Sequence, residues 1–176
     1  MKDETVPRGG SHIDLRVHPF IIRESGSGKA LSYDLAEDLA EKVGLNWQTR
    51  NKITEAGLVG TRRQVKGGLT EIIYGDAYDC DIIGFTEATL LLRDTKLCKN
   101  FNTLMDTKGI VSRRLALGDI SYKTNTTVVL SSFACKLVYD HLQTGFLQRC
   151  LIYYEPISTK YIREVIEWLG KKYGSS

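Results

Sequence analysis

One turn constrains the fold of this chain more than any other stretch, the glycine- and serine-rich run Arg23-Glu24-Ser25-Gly26-Ser27-Gly28-Lys29-Ala30. A short apolar run over residues 17–22 predicts a strand before it, and a four-residue apolar repeat over residues 31–43 predicts an amphipathic helix after it. A strand, a turn and a helix in this order direct backbone N–H groups, a lysine and the positive end of the helix dipole at one point. We therefore expect the turn to bind phosphate.

The turn is close to the phosphate-binding P-loop pattern G-x-x-x-x-G-K-[ST]. Gly28 and Lys29 occupy the last glycine and the lysine of this pattern. Arg23 stands at its first glycine, and Ala30 at the hydroxyl that normally binds Mg²⁺. In this interpretation Mg²⁺ is held by water or by Ser32, and the alternative is an ordinary glycine-serine loop. The predicted nucleotide-binding residues are Glu24, Ser25, Gly26, Ser27, Gly28, Lys29, Ala30 and Leu31.

The composition indicates one globular domain without a strong charge bias. The 176 residues are 42% hydrophobic, which suffices for one core, and 24 Lys and Arg against 21 Asp and Glu leave a net charge of +3. So small an excess does not by itself indicate a nucleic-acid partner. We predict a flexible segment over residues 1–12, which resembles a tag remnant, and a single domain over residues 13–176.

The cysteines and the apolar runs favour a cytoplasmic protein. The four cysteines form no C-x-x-C pair, so we expect them to be reduced and buried, and the three histidines lack metal-ligand spacing. No apolar run approaches the roughly 20 residues that span a bilayer, so we expect no membrane contact. The four cysteines are Cys80, Cys98, Cys135 and Cys150, and the three histidines are His12, His18 and His141.

An acidic residue follows a predicted central strand. Residues 80–85 form the apolar run that predicts this strand, and Thr86 and Glu87 come directly after it. In nucleotide hydrolases, a carboxylate at the carboxyl end of a central strand manages Mg²⁺ and the attacking water. Glu87 is therefore the predicted metal ligand and the residue that polarises the water. The alternative is that Glu87 only caps the next helix, because Thr86 replaces the usual aspartate.

A second strand end carries hydroxyl groups. Residues 126–130 are β-branched and uncharged, which is typical of a buried strand, and they lead into Ser131 and Ser132. These hydroxyls could bind a γ-phosphate or a water molecule, or they could cap the following helix. Downstream, residues 151–154 predict a further strand and residues 162–169 a closing helix.

Two glycine-centred hairpins are predicted between these strands. The first follows a helix or turn at residues 53–60 and turns at Gly67-Gly68. The second runs over residues 110–124 with its tip at Gly118-Asp119, after a helical stretch at residues 88–105 that charged residues interrupt. Its cations could neutralise a nucleic-acid backbone, or they could simply be solvated. These cations are Arg113, Arg114 and Lys123.

Alternating strands and helices, with a phosphate-binding turn after the first strand, predict a three-layer α/β P-loop NTPase fold. We expect a central, mostly parallel sheet, two hairpin insertions and a reduced C-terminal lid in residues 161–173. The arrangement resembles that of AAA+ ATPases, in particular minichromosome-maintenance-type helicases and related plasmid and viral replication ATPases. The resemblance extends over residues 17–154.

The resemblance implies a chemical role for several residues. Lys29 would contact the β- and γ-phosphates of ATP, and Glu87 would act on the attacking water and on Mg²⁺. Ser131 or Ser132 would serve as the sensor, where the family's strand usually ends in asparagine. Arg149 is similar to the family's arginine that reaches the ATP of a neighbouring subunit and acts there in catalysis.

The resemblance also implies partners. An arginine that acts in a neighbouring subunit implies a ring-shaped homo-oligomer. The second hairpin is similar to the family's hairpin that enters the central pore, which implies that Arg113, Arg114 and Lys123 contact DNA. The implied activity is ATP-driven movement or remodelling of DNA, of the replication or helicase type.

The departures from the family pattern fall on Mg²⁺ and γ-phosphate chemistry. They are Arg23, Ala30, Thr86 and Ser132. A regulatory or assembly subunit that binds nucleotide without hydrolysing it is therefore an alternative function. A second alternative is a small P-loop kinase, although the sequence offers no arginine-rich lid and no clear acceptor site. Under the AAA+ resemblance, Arg163 is the candidate lid arginine.

Overall fold

The computed structural model describes residues 5–8, 11–14, 16–24, 28–142 and 145–155, together with positions 160, 163, 164, 167, 168 and 171. Residues 25–27 of the glycine-rich turn lie outside these ranges, so the roles of Ser25, Gly26 and Ser27 stay predictions. Most of the expected lid also lies outside them, and Arg163 is described as helical and exposed.

Strands and helices alternate along the described chain. The strands are β1 (Thr5–Arg8), β2 (Ser11–Asp14), β3 (Pro19–Arg23), β4 (Trp47–Arg50), β5 (Gly60–Gln64), β6 (Thr70–Tyr74), β7 (Ile82–Phe85), β8 (Ile110–Arg113), β9 (Ile120–Lys123), β10 (Thr127–Ser132) and β11 (Leu151–Glu155). The helices are α1 (Lys29–Lys42), α2 (Glu55–Val59), α3 (Asp76–Asp79), α4 (Thr89–Leu92), α5 (Thr95–Leu104) and α6 (Lys136–Leu142). A 3-10 turn covers Leu147–Arg149, and β1 pairs with β2 in an antiparallel hairpin. Within the described ranges, no helix combines the length and the apolar character that crossing a bilayer requires.

Five parallel strands form the central sheet, in the order β11-β3-β10-β7-β4. Leu130 of β10 lies opposite both Phe20 of β3 and Phe85 of β7, and the outer strands are also parallel to their neighbours. Parallel neighbours need crossover connections, which the helices supply here. The expected α/β class with a parallel central sheet is therefore confirmed, and β10 lies between β3 and β7.

The main core lies on one face of this sheet. Phe20, Leu130 and Phe85 are at most 1% exposed, and their register places them side by side. Phe85 packs edge-to-face on Phe101 of α5, with 5.5 Å between the ring centroids. Because side chains alternate between the faces of a strand, the residues one position away point to the opposite face.

Helix α1 covers that opposite face through Tyr33. A Cβ at Gly84 would meet the Tyr33 ring at 2.9 Å, so a glycine one residue before Phe85 leaves the space that the ring needs. The Tyr33 hydroxyl lies 2.9 Å from the Phe85 carbonyl oxygen and 3.2 Å from that of Val129. With helices on both faces of the sheet, the fold is compatible with a three-layer α/β arrangement.

The apolar stripe of α1 faces solvent, which the amphipathic pattern did not indicate. Tyr33 and Ala40, seven residues and about two turns apart, occupy the face that packs on the sheet. The periodicity shows that the apolar residues share a face of the helix, but it does not identify the face that meets the core. The stripe residues, 56–72% exposed, are Leu31, Leu35, Leu39 and Val43.

The helical stretch expected at residues 88–105 consists of two helices, and the break falls at Asp94. The Asp94 carboxylate accepts hydrogen bonds from the backbone N–H groups of Lys96 at 3.0 Å and Leu97 at 3.1 Å. Because this cap satisfies N–H groups of the first turn, it fixes the start of α5. Helix α6, which follows β10, has only seven residues, and the sequence did not indicate its extent.

Both expected hairpins are present, and they pack against each other. β5 pairs with β6, and β8 pairs with β9, in antiparallel fashion. Arg62 donates from Nη2 to the carbonyl oxygen of Asp119 at 3.0 Å, and Tyr122 donates from its hydroxyl to the carbonyl oxygen of Val59 at 2.9 Å. The two insertions therefore support each other instead of standing free.

Candidate functional site

The carboxyl ends of β3 and β10 form the switch point of the sheet. The chain leaves β3 through α1 toward β4 at one edge, and it leaves β10 through α6 toward β11 at the other edge. In open α/β sheets, ligands bind in the crevice at such a point, outside the carboxyl ends of the strands. Lys29, Glu87, Ser131 and Ser132 all lie at this end of the sheet.

Lys29 is the first residue of α1, and its side chain extends to the end of β3. Its ammonium group donates hydrogen bonds to the carbonyl oxygens of Arg23 at 2.9 Å and Glu24 at 3.4 Å. Gly28 before it has a φ of 77°, a left-handed conformation that glycine adopts at low cost and that lets the chain turn into the helix. Partial burial lowers the pKa of Lys29 below its ordinary value, and the negative charge of Glu87 offsets part of this effect.

Glu87 serves the local structure and also faces the lysine. Its Oε1 accepts hydrogen bonds from the backbone N–H of Thr89 at 3.2 Å and from the Thr89 hydroxyl at 2.7 Å. Oε1 also accepts a hydrogen bond from the Ser132 hydroxyl at 3.3 Å. The carboxylate therefore supports the start of α4, as the capping alternative expects, while its charge acts on Lys29.

The two serines at the end of β10 connect that strand to the exit of β7. Both are fully buried, and the Ser131 hydroxyl donates to the Thr86 carbonyl oxygen at 2.7 Å. The Ser132 hydroxyl lies within hydrogen-bond distance of Glu87 and of the Phe133 carbonyl oxygen, at 3.1 Å. Ser132 is thus the serine that contacts the Glu87 side chain, whereas Ser131 bonds to the backbone of the preceding residue, Thr86.

A small hollow of about 110 Å³ adjoins Lys29. Ser32, whose hydroxyl donates to the Gly28 carbonyl oxygen at 3.2 Å, lines it, and so do Arg23 and Tyr153. The Arg23 guanidinium lies 5.8 Å from the centre of the Tyr153 ring, which is cation–π geometry. Ligand pockets are usually several times larger, so the hollow has room for one small anionic group, and the rest of a nucleotide would lie outside it.

The remaining described residues of the predicted nucleotide site lie on the surface. Glu24, Gly28, Ala30 and Leu31 are exposed. The first four N–H groups of a helix have no partner within the helix, so the start of α1 offers donors to an anion. These residues therefore present backbone donors and one ammonium group rather than a set of side-chain ligands.

Two residues that the sequence did not single out belong to this end of the sheet. Tyr33 holds α1 on the sheet, and burial raises the pKa of its hydroxyl. Asn51 follows β4, and its side-chain oxygen accepts a hydrogen bond from the Thr86 hydroxyl at 2.6 Å. The available signals were an aromatic residue on α1 opposite its leucines and a polar residue directly after a strand.

The residues at this edge fit a magnesium ion only in part. Mg²⁺ is usually held by one or two carboxylates, with substrate phosphates and water completing its shell. In the part of the chain that the structure describes, no three His, Cys, Asp or Glu side chains are grouped to hold a metal. Glu87 would be the protein ligand, and Ala30 supplies no hydroxyl, so phosphate oxygens and water would carry most of the coordination.

Arg149 lies at the other end of the strands. Leu151, two residues later, pairs with Pro19 at the start of β3, so Arg149 sits at the amino edge of the sheet. Its guanidinium donates to the Gly145 carbonyl oxygen at 2.7 Å and lies 3.4 Å from the Asp106 carboxylate. Within one chain, Arg149 is therefore separated from Lys29 by the length of β3.

The three predicted DNA-binding cations differ in their surroundings. Arg113 donates to the Gly60 carbonyl oxygen at 2.7 Å and forms an ion pair with Glu55 at 3.4 Å. Arg114 and Lys123 are exposed. Arg113 thus connects the second hairpin to α2 and β5, and only the other two side chains extend toward solvent.

Comparison with known protein families and with curated proteins finds no match for this chain. The function is therefore inferred from the placement of Lys29, Glu87 and Ser132 and from the charges on the hairpins.

Proposed function

We propose that this chain is an AAA+-like P-loop module that binds ATP at the carboxyl edge of its sheet, hydrolyses it within an oligomer and acts on DNA. The observation that carries the proposal is the position of β10 between β3 and β7, which joins Ser132 to Glu87 at the same end of the sheet as Lys29, where burial lowers the pKa of the lysine and the charge of Glu87 offsets part of this effect. A cation, a carboxylate and a hydroxyl at a switch point are the groups that phosphoryl transfer needs.

Phosphate binding would begin at the start of α1. The ammonium group of Lys29 would exchange its hydrogen bonds to the Arg23 and Glu24 carbonyl oxygens for charge-assisted bonds to phosphate oxygens. The exposed N–H groups at Gly28 and Ala30 would add donors at the positive end of the helix dipole. The half-buried position of Lys29 strengthens its attraction for phosphate, because less water screens the charge.

Hydrolysis would depend on Glu87 and Ser132. The carboxylate would orient a water molecule for attack on the γ-phosphate, and Ser132 would keep that carboxylate in place. When bound, Mg²⁺ would neutralise charge on the phosphate oxygens. Since this chemistry consists mainly of positioning and charge stabilisation, small displacements of Glu87 would cost much of the rate.

Oligomerisation would supply the remaining cation. Arg149 lies at the amino edge, so it would contact the phosphates bound by a neighbouring copy rather than those of its own chain. Such an interface joins different surfaces of two copies, and repetition of it closes into a ring when the rotation allows. On the hairpins, Arg114 and Lys123 would contact the DNA backbone.

Nucleotide binding without hydrolysis is the second candidate function. The observation that favours it is the engagement of Glu87 Oε1 by Thr89, which commits part of the carboxylate to the start of α4. Ala30 strengthens this alternative, since it lacks the hydroxyl that normally binds Mg²⁺. Such a module would bind ATP and regulate or build an assembly.

The two candidates differ in one measurement, the ATPase rate of the wild type and of Glu87→Gln. We expect the ATPase module to lose at least about a hundredfold in rate while its affinity for a fluorescent ATP analogue stays within about threefold. Glu41→Gln, on an exposed part of α1, is the matched control. A rate that is absent, or unchanged in Glu87→Gln, rules out the proposed ATPase, and an absent rate with nucleotide binding intact favours the binding module. Failure of the wild type to bind the analogue, with or without Mg²⁺, contradicts both.

A further inference from the structure

A groove of about 340 Å³ lies between helix α5 and strand β8, outside the phosphate site. Four cationic side chains and a single carboxylate line it, so its lining is locally positive although the chain as a whole carries only a mild net charge. Its lining residues are Glu55, Lys96, Lys99, Asn100, Thr103, Ser112, Arg113 and Arg114.

The floor of the groove is fixed and internally paired. The Glu55 carboxylate accepts a hydrogen bond from the Asn100 amide at 3.0 Å and pairs with Arg113 at 3.4 Å. Arg113 also donates to the Gly60 carbonyl oxygen at 2.7 Å. Both oxygens of Glu55 are therefore engaged, and its negative charge offsets that of Arg113. No other carboxylate in the lining offsets the positive charges on the walls.

The walls present their cations to solvent. Lys96 and Lys99 lie three residues apart on α5, so they project from the same face of the helix, and both are exposed. Arg114 extends from the end of β8 on the other side, where the hydroxyl of Ser112 is also exposed. Exposed lysines on one wall and a guanidinium with a hydroxyl on the other are donors suited to phosphate oxygens.

We propose that this groove binds the sugar–phosphate backbone of a nucleic-acid strand without regard to sequence. The proposal rests on the DNA-binding part of the function proposed above and deepens it. It keeps Arg114 in the contact and replaces Lys123 with Lys96 and Lys99 as the main cations. The lining contains no aromatic side chain on which a base could stack, which favours backbone contacts over base recognition. It contains no apolar anchor residue either, and this disfavours a protein segment as the occupant.

The test is the salt dependence of binding to a labelled oligothymidine, measured by fluorescence anisotropy on the full chain. Each phosphate contact to a single strand contributes about 0.7 to the slope of log K against log salt. We therefore expect Lys96→Gln with Lys99→Gln to lower the slope by about 1.4 and to weaken binding several-fold at low salt. Lys42→Gln with Lys160→Gln removes the same charge from exposed positions away from the groove and should leave both quantities unchanged.

The outcomes separate this proposal from the nucleotide site. If the groove variants bind oligothymidine as the wild type does, and Lys123→Gln binds it more weakly, the groove proposal is overturned. The proposed DNA function then still stands. A wild type that does not bind oligothymidine at low salt overturns both. Loss of binding to a labelled polyglutamate peptide, with oligothymidine binding intact, would identify an acidic protein segment as the occupant and also overturn the proposal. Urea denaturation, measured in parallel, shows whether each variant is folded.

Discussion

The two ends of the parallel strands use their polar side chains in opposite ways. At the amino end, the buried Thr126 hydroxyl lies 3.0 Å from the Ala77 carbonyl oxygen and 2.8 Å from that of Cys80, and it connects the start of β10 to the end of α3. His18, also buried, accepts the N–H of Val128 on Nδ1 at 3.0 Å. These polar groups hold the chain in place where it enters the sheet.

At the carboxyl end, the polar groups surround a hollow instead of filling the gap between loops. Lys29, Ser32 and Ser131 line this hollow, and Glu87 acts on the lysine through its charge. The difference follows from the direction of the chain, because helices begin where parallel strands end and their first N–H groups collect at that edge. Under the proposed function the phosphate site therefore lies at the carboxyl end, whereas Thr126 and His18 support the structure at the amino end.

The largest expected effect is on nucleotide binding in Lys29→Ala. Loss of a charge-assisted contact to phosphate should cost about 2–3 kcal/mol, or roughly 30- to 150-fold in the dissociation constant. A titration with a fluorescent ATP analogue measures this, with Lys42→Ala at the other end of α1 as the control. If Lys29→Ala and the wild type bound the ATP analogue with equal affinity, the carboxyl end of the strands would not be the nucleotide-binding end.

The next effect concerns the amino end, where Thr126→Val should destabilise the fold. Valine has nearly the same shape but no hydroxyl, so the buried carbonyl oxygens of Ala77 and Cys80 would lose a partner at a cost of about 1–3 kcal/mol. Urea denaturation measures the free energy of unfolding, and the affinity for the ATP analogue should not change. A variant that is fully stable but binds nucleotide poorly would contradict the division between the two ends.

A smaller and continuous effect is the pH dependence of nucleotide binding. The ammonium group of Lys29 attracts phosphate only while it is protonated, and burial lowers its pKa below the ordinary 10.5. Affinity should therefore hold on the acidic side of this lowered pKa and fall above it, by up to about tenfold per pH unit. Titrations between about pH 7 and pH 10 measure the decline. Lys29→Arg keeps its charge throughout this range and should give a flat profile, and an identical decline in both proteins would assign the effect elsewhere.

The smallest expected effect is that of Ser132→Ala on stability. Its contact with Glu87 is long, at 3.3 Å, so the free energy of unfolding should fall by only about 0.5–1 kcal/mol. If the chain hydrolyses ATP, the turnover rate should fall more than the affinity for the analogue, because the serine acts through the position of Glu87. Equal changes in rate and affinity would make Ser132 a general support of the fold, like Thr126.

The sequence predicted the elements whose signals are local. The strand before the glycine-rich turn and both glycine-centred hairpins depend on turn residues and short periodic patterns, and all are present. The order of the strands could not be read in this way. The adjacency of β10 to both β3 and β7 depends on how the crossover connections pack. This adjacency brings Ser132 into contact with Glu87, 45 residues earlier in the chain.

Contacts between distant residues account for what the sequence left out. Arg113 pairs with Glu55, 58 positions earlier, so a charge expected to be available for DNA is largely used within the protein. The leucines of α1 were grouped correctly but face solvent, because the space beside Gly84 accepts Tyr33 and thereby sets the rotation of the helix. Such outcomes depend on the shape of the opposing surface, which no local pattern records.

The placement of Arg149 has a consequence for control of the activity. In one copy it is separated from Lys29 by the five residues of β3, at about 3.3 Å each. If the chain binds ATP as proposed, an isolated copy would therefore hold an incomplete set of charges around the triphosphate. Under the proposed function, turnover per molecule would rise steeply with protein concentration. Dilution would then lower the turnover per molecule without any inhibitor.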